Sequence, residues 1–381
     1  MKLLHTSDLH IGKKVNEFSM IEDQEYILGQ ILQLADKHMP QGILIAGDIY
    51  DKGIPSVEAV RLFDWFLTEL HRRELAVFLV SGNHDSSERI DFGGRILAEN
   101  RIHIAGAYQG KLEKITLEDE FGPLHIYLMP FVKPALIRRF YPEVETYQEA
   151  VEAIINHGGV EETQRNILVA HQFITSGNTQ PERCDSETVS IGGLDNIDAS
   201  VFGAFDYVAL GHLHGAQRIG RDTVRYAGSP LKYSFSEARQ IKSVTLLEVG
   251  KKSEVSFEKL PITPLKDMRE IRGPIQALTD PKIYSQANPL DYIHAILTDE
   301  EEIYDAIGKL RSIYPNIMRL DFENSRSVWN ADALFTAADV EEQSSLELFE
   351  EFFESQNNNP MNAEQRAVIQ KLFEEMEGDG E

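Results

Sequence analysis

Four short apolar runs in this chain each end in a polar cluster, and that recurrence restricts the fold more than any other feature. KLLH runs into Thr6-Ser7-Asp8, GILIA into Gly47-Asp48, AVFLV into Ser81-Gly82-Asn83, and NILVA into His171. Runs this short and this rich in branched residues read as buried strands, which puts the polar residues at strand ends. Between the first three lie helical patterns, Gln24 to Lys37 and Val57 to Arg73. The second is expected to carry Val60, Phe63, Leu67 and Leu70 on one face. Strand and helix in alternation is βαβ organisation. Later runs (RIHIAG, LEKITLE, LHIYLMPF, DYVALG, TVRYAGS, SVTLLEV, EVSFEKLPI) have few helices between them, so the reading is a mixed α/β sandwich.

The polar clusters carry the chemistry. In order they are Asp8-Leu9-His10, Gly47-Asp48-Ile49-Tyr50-Asp51, Gly82-Asn83-His84-Asp85, His171, and Gly211-His212-Leu213-His214. Ligands from several strand ends can converge at one edge of a sheet. Carboxylate, imidazole and amide oxygen without thiolate form a donor set suited to Mn²⁺ or Fe²⁺, and compatible with zinc. Two divalent ions about 3.5–4 Å apart need one bridging ligand and separate ligands on either side. Asp48 is the bridging candidate. Asp8 and His10 alternate, so their side chains are expected to leave one face of an extended segment, and His212 and His214 share the spacing. An isolated D-x-H occurs by chance, and a lone histidine is more often a satisfied structural residue. The ordered combination of five clusters carries the argument.

D-x-H, G-D-x-x-D, G-N-H-D, a later His and G-H-x-H together resemble the calcineurin-like metallophosphoesterases, over roughly residues 1–250. Within that superfamily, MKLLHTSDLHIGK, GDIYDKGIPS, VSGNHDS and GHLHGAQ resemble the SbcD nuclease subunits, bacterial relatives of the double-strand-break repair nucleases. The resemblance implies a four-layer α/β/β/α sandwich, a small α/β capping domain and C-terminal helices. It implies one metal held by Asp8, His10, Asp48 and His214, and a second by Asp48, Asn83, His171 and His212. His84 would assist the leaving oxygen as a catalytic residue, with Asp85 holding its imidazole, while a metal-activated water attacks phosphorus. Two divalent ions are expected, with Mn²⁺ the first choice. The implied activity is 3′ to 5′ exonuclease action on duplex DNA and endonuclease action on single strands and hairpins, in DNA repair and recombination. The implied partners are DNA, a second copy of the chain, and an SbcC-like SMC-type ATPase bound through the C-terminal helices. The chain has no GxxxxGK[ST] phosphate loop, so any ATP dependence falls to the partner.

With 381 residues, two or three units are expected. The boundaries are drawn at 1–262 for the phosphoesterase domain, 263–325 for the capping domain after Pro261 and Pro264, and 326–381 for a linker and helical hairpin. Two helix starts are expected in that last part, Ser344 with Glu347 and Asn362 with Gln365, separated by the turn SQNNNP. The second helix would bear Val368, Ile369, Leu372, Phe373 and Met376.

The formal charge of −25 argues against a nucleic-acid surface, but much of it lies after Val340, and bound cations reverse the local sign. Lys13, Lys14 and Arg89 are the first candidates for DNA contact, with Lys133, Arg138 and Arg139 behind them. The polar segment ITSGNTQPERCDSET after His171 is expected to be a substrate or dimer loop. The opening MKLLHTSDLH has no basic region followed by a long apolar stretch, so no export signal is expected, no run approaches the roughly 18 apolar residues of a membrane span, and the single Cys184 favours a reducing compartment. A cytoplasmic, nucleoid-associated protein is expected. The main rival is a metallophosphoesterase acting on a small phosphodiester or phosphomonoester, and a noncatalytic scaffold is the rival of a different class.

Overall fold

The computed structural model describes residues 1–177, 179–187, 195–301, 303–323, 346, 349, 350, 353 and 361–378. The chain divides into two compact units, Met1–Met268 and Arg269–Glu381.

The first unit contains β1 (Lys2–Thr6), α1 (Ile21–His38), β2 (Gly42–Ala46), α2 (Val57–Arg72), β3 (Ala76–Val80), β4 (Ile102–Ala105), β5 (Glu113–Asp119), β6 (Gly122–Met129), α3 (Tyr147–His157), β7 (Arg165–His171), β8 (Tyr207–Gly211), β9 (Arg218–Ile219), β10 (Arg221–Tyr226), β11 (Ser243–Val249) and β12 (Val255–Pro261). One six-stranded sheet runs β12-β11-β1-β2-β3-β4 and the other β9-β10-β8-β7-β6-β5. β1 to β4 are mutually parallel, while β11 joins β1 antiparallel. In the second sheet β6, β7, β8 and β10 are parallel. The strands β2, β3 and β7 are buried at every position, as strands covered on both faces must be.

The two sheets face each other across one core. Leu44, Ala46, Phe78 and Val80 of the first sheet pack with Ile126, Leu128, Val169 and Tyr207 of the second. Alternate residues of the second sheet, Tyr127, Met129, Leu168 and Val208, turn the other way, onto Val151 and Ile154 of α3. α1 and α2 lie beside each other, with α2 against β3, which completes the α/β/β/α layering. The buried stripe of α2 differs from the expected one. Ala59, Leu62, Phe63, Phe66 and Leu70 are buried, whereas Val60 is 45% exposed. Phe66 is the larger anchor, and seating it rotates the helix away from the Val60 register.

Two short glycine segments bring the strand ends close together. A Cβ on Gly82 would overlap the Asp48 carboxylate, and one on Gly211 would overlap the Ala46 carbonyl. The glycines preceding Asn83 and His212 are therefore demanded by the approach of neighbouring loops.

The second unit holds a three-stranded sheet, β13 (Met268–Gly273), β14 (Tyr292–Leu297) and β15 (Ile317–Phe322), with α4 (Ala306–Arg311) crossing between the parallel strands β14 and β15. Its core joins Ile293, Ala295, Leu297, Leu310, Tyr314 and Ile317. The final helix, α5 (Ala363–Gly378), starts in the expected capping box: the Asn362 N–H donates to Gln365 Oε1 (3.0 Å) and the Gln365 N–H to Asn362 Oδ1 (2.9 Å). The expected Ser344–Glu347 capping box, the linker and the SQNNNP turn lie outside the described residues. Among the described residues, no helix is long and apolar enough to cross a membrane.

Candidate metal centre

All five clusters meet where the C-terminal ends of β1, β2 and β3 face those of β7 and β8. The first two turns are zipped together by main-chain bonds: the Asp8 N–H donates to the Gly47 carbonyl (3.0 Å) and the His10 N–H to the Asp48 carbonyl (2.9 Å). Gln24 of α1 locks the first turn, its Nε2 donating to the His10 carbonyl (2.7 Å) and its Oε1 accepting from the Gly12 N–H (2.9 Å).

The expected extended alternation of Asp8 and His10 is corrected here. β1 stops at Thr6, and Asp8, His10, Asp48 and His212 all have positive φ, at 53°, 44°, 49° and 107°. Side chains with this backbone converge through left-handed turns instead of strand pleat. Each such residue costs about 1–3 kcal/mol, which concentrates strain in the site.

Asp8, His10 and His214 bring one ligand atom each within 4.8 Å of one another, as do Asp8, Asp48 and His171, and also His10, Asp48 and His84. His10 Nε2 lies 3.2 Å from His214 Nε2 and 3.6 Å from Asp48 Oδ2. Asn83 turns its Oδ1 to His171 Nε2 (3.0 Å) and to His212 Nδ1 (2.9 Å). Asp8 accepts the His212 main-chain N–H (3.0 Å) and the Ser7 hydroxyl. The structure thus collects all seven expected ligand residues, with His84 beside them.

This donor set fits divalent cations. His171 Nδ1 donates to the Ala46 carbonyl (2.8 Å), so its Nε2 turns toward Asp48 Oδ2 (3.4 Å) and the Asn83 amide oxygen. Without a cation a proton on His171 Nε2 meets these oxygens, and a divalent ion in its place would be held by the same atoms. His10 Nδ1 and His212 Nε2 are buried without a hydrogen-bond partner. Electrostatics agree. Burial alone would lower the His171 pKa, but the Asp48 carboxylate overrides it and holds the imidazole up to about 9. Burial, reinforced by the His171 charge, pushes His212 down to about 3. The two buried carboxylates diverge: burial raises Asp8, whereas at Asp48 burial, the largest single influence, is outweighed by the charge and hydrogen bond of His171 together with His10 and His84, which hold it well below the usual carboxylate range.

His84 is half-buried, its ring edge-on to His10 with centroids 4.9 Å apart. Its Nδ1 donates to the Asp51 carbonyl (3.0 Å), and its N–H to Asp48 Oδ1 (2.9 Å). The expected brace from Asp85 to the His84 imidazole is corrected: the Asp85 carboxylate instead accepts the main-chain N–H groups of Ile49 (3.1 Å), Tyr50 (3.0 Å) and Gly82 (2.9 Å). Asp85 staples the second cluster to the third. Burial and the neighbouring Asp48 charge push its pKa up to about 6.

Of the basic candidates, Lys14 and Arg89 are exposed, whereas Lys13 is paired with Asp51 at 2.7 Å. The segment after His171, expected to be a substrate or dimer loop, reaches the site itself. Its described part, ending at Glu187, turns back to the site, where Ser186 and Glu187 bond His214. Residues 188–194 lie outside the described residues. No sequence signal marked Phe131, stacked on His212 at 6.4 Å, or the buried Glu237 beneath His214.

Comparison with known proteins agrees with this geometry. The calcineurin-like phosphoesterase family profile matches residues 1–216, and the profile described as the type 5 capsule protein repressor C-terminal domain matches 264–357. The SbcD subunit of the SbcCD nuclease of Staphylococcus epidermidis is 32% identical over 379 residues, covering 98% of each chain. The protein of the same name from Staphylococcus saprophyticus is 28% identical over 379 residues, again covering 98% of each. Among solved structures, TT1561 of Thermus thermophilus aligns at 11% identity with a TM-score of 0.40, over 68% of this chain and 98% of its own, a likeness too distant to carry an argument. On the family match and the full-length relatives, the chain belongs to the calcineurin-like phosphoesterases, as a phosphodiester hydrolase of the SbcD nuclease family.

Proposed function

We propose that this chain is a manganese-dependent DNA nuclease subunit in which two cations are held by Asp8, His10, Asp48 and His214 on one side and by Asp48, Asn83, His171 and His212 on the other. The observation that carries the reading is the convergence of ligand atoms from Asp8, His10, Asp48, His171 and His214 within 4.8 Å in overlapping groups, with Asn83 Oδ1 joining His171 to His212. When bound, the ions supply the Lewis acidity that activates water and offsets the phosphodiester charge. The chain's own residues do the rest. Asp48 lies between the two ligand groups. The Asp51 carbonyl accepts the Nδ1 proton of His84 in a hydrogen bond and orients the ring, so that in the imidazolium form the Nε2 proton can pass to the leaving oxygen. Asp85 fixes the distance between the Asp48 and Asn83 turns. Lys14 and Arg89 are proposed to contact the DNA backbone.

The wider assignment follows the same reading: 1–262 as the nuclease domain, 263–325 as the capping domain, and 326–381 as the segment that docks an SbcC-type ATPase. Val368 and Leu372 of α5 are exposed, as a docking stripe would require. A second copy of the chain is proposed to pair through the exposed apolar side chains Ile54, Val57, Phe92 and Ile96. Exonuclease action on duplex ends, endonuclease action on hairpins and single strands, and a cytoplasmic place at the nucleoid complete the proposal.

The test is cleavage of end-labelled duplex and hairpin DNA in Mn²⁺, with and without an SbcC-type partner and ATP, for wild type and His84→Ala. The expected result is DNA cleavage that falls by roughly 10²–10⁴-fold in the variant while its metal content stays at two ions. Uncut DNA, together with brisk hydrolysis of a small phosphodiester, would transfer the assignment to a small-molecule phosphoesterase.

A further inference from the structure

His214 is held on three sides by residues that lie in none of the sequence clusters. Its main-chain N–H donates to Glu187 Oε1 (2.6 Å), and its carbonyl accepts from Lys242 Nζ (2.9 Å). Its ring Nδ1 lies 2.7 Å from Ser186 Oγ and 3.5 Å from Glu237 Oε1. Glu237 is fully buried, and its two oxygens gather donors: Ser186 Oγ (2.6 Å) and the Tyr233 N–H (3.2 Å) on Oε1, and Lys242 Nζ (2.6 Å) on Oε2.

Counting protons fixes the direction of each bond. A carboxylate paired with an ammonium group is an acceptor only. Ser186 has one hydroxyl proton, and it is given to Glu237. Toward His214, Ser186 is therefore the acceptor, so Nδ1 of that ring carries the proton and Nε2 carries the lone pair. Nε2 is the atom that points into the cluster, 3.2 Å from His10 Nε2. An imidazole without this bond can place its proton on either nitrogen, and the form protonated at Nε2 offers the cluster no lone pair.

We propose that Glu237, acting through Ser186 and anchored by Lys242, is a positioning residue that fixes both the tautomer and the orientation of His214 as a metal ligand. The proposal rests on the metal-centre reading above. It also accounts for the described end of the segment after His171, where Ser186 and Glu187 close over His214 and hold its ring and its main chain.

The test is calorimetric titration of Mn²⁺ into the full-length chain after metal stripping, with Co²⁺ absorption spectra as an independent readout. Wild type is expected to take up two ions. In Ser186→Ala one site is expected to weaken about 10–100-fold while the other is unchanged, with a matching change in the Co²⁺ bands of one site only. Ser186→Thr, which retains the hydroxyl, is expected to keep the wild-type affinities, and Glu237→Gln to weaken the same site as Ser186→Ala. Wild-type binding by Ser186→Ala, or equal weakening by Ser186→Ala and Ser186→Thr, would overturn the proposal. Should Glu237→Gln fail to fold, the serine pair still decides. Fewer than two ions in wild type would instead remove the metal-centre reading itself.

Discussion

His171 in the first unit and His294 in the second are both buried beside carboxylates, yet their hydrogen bonds end differently. His294 has Glu270 Oε1 at 3.1 Å from Nδ1 and Asp321 Oδ2 at 2.8 Å from Nε2, with Arg319 also on Asp321. Those contacts run across the three strands of the small sheet and form a strap. His171 has a carbonyl on one nitrogen, but its other nitrogen faces a carboxylate and an amide oxygen that two further histidines also approach. The residue types are nearly the same in both places. What separates a strap from a metal site is how many ligand residues converge: two carboxylates flank His294, whereas Asp8, Asp48, Asn83 and His212 gather beside His171, with His10 and His214 adjoining.

Breaking the converging set is expected to have the largest effect. Asp48→Asn removes a charge that both ligand groups approach, and DNA cleavage is expected to fall by on the order of 10³ or more, about 4 kcal/mol of barrier. Metal analysis of the purified variant should show fewer than two ions per chain; full occupancy would separate Asp48 from metal binding.

His5 sharpens the comparison from the other direction, because it is buried and matched without charge. Its Nδ1 accepts from the Tyr207 hydroxyl (3.0 Å) and its Nε2 donates to the Leu210 carbonyl (3.2 Å). Burial pushes its pKa down to about 3, despite the Leu210 bond. The folded value lies below the unfolded one, so the folded chain binds fewer protons. This contribution to stability is complete above about pH 6.5 and is lost as the pH falls toward 3. By about pH 5 the loss is on the order of 2 kcal/mol. Gln can make both bonds, so thermal unfolding of His5→Gln is expected to lose less stability between pH 7.5 and pH 5 than wild type. Equal losses would contradict the neutral assignment.

Cutting the strap should matter least. His294→Gln is expected to destabilise the second unit by about 1 kcal/mol while leaving Mn²⁺ binding and cleavage unchanged. Loss of an ion in this variant would mean that the strap is a metal site.

Much of the first unit was legible because its signals are local. Apolar runs ending in Asp8, Asp48, Asn83 and His171 announced buried strands with chemistry at their ends, and the Asn362–Gln365 cap marked a helix start. Other local signals were there to be read: Thr146 and Glu149 form a capping box at the start of α3. The left-handed turns were hidden, since Asp and His seldom adopt positive φ and only the main-chain bonds between the first two clusters impose it. The buttress of His214 was hidden for a different reason. Ser186, Glu237 and Lys242 lie in segments without a period, 23 to 28 positions away from His214, and only the folded chain brings them together. Asp85 was read from its place next to His84, yet its carboxylate turns to Ile49, Tyr50 and Gly82.

The most direct test of the central claim is an anomalous difference map from crystals of this chain soaked in Mn²⁺. The expected result is two peaks in the first unit, one within bonding distance of Asp8, His10, Asp48 and His214 and the other of Asp48, Asn83, His171 and His212. A single peak, none, or a peak at His294 would contradict the claim that this cluster of converging ligand residues holds two ions.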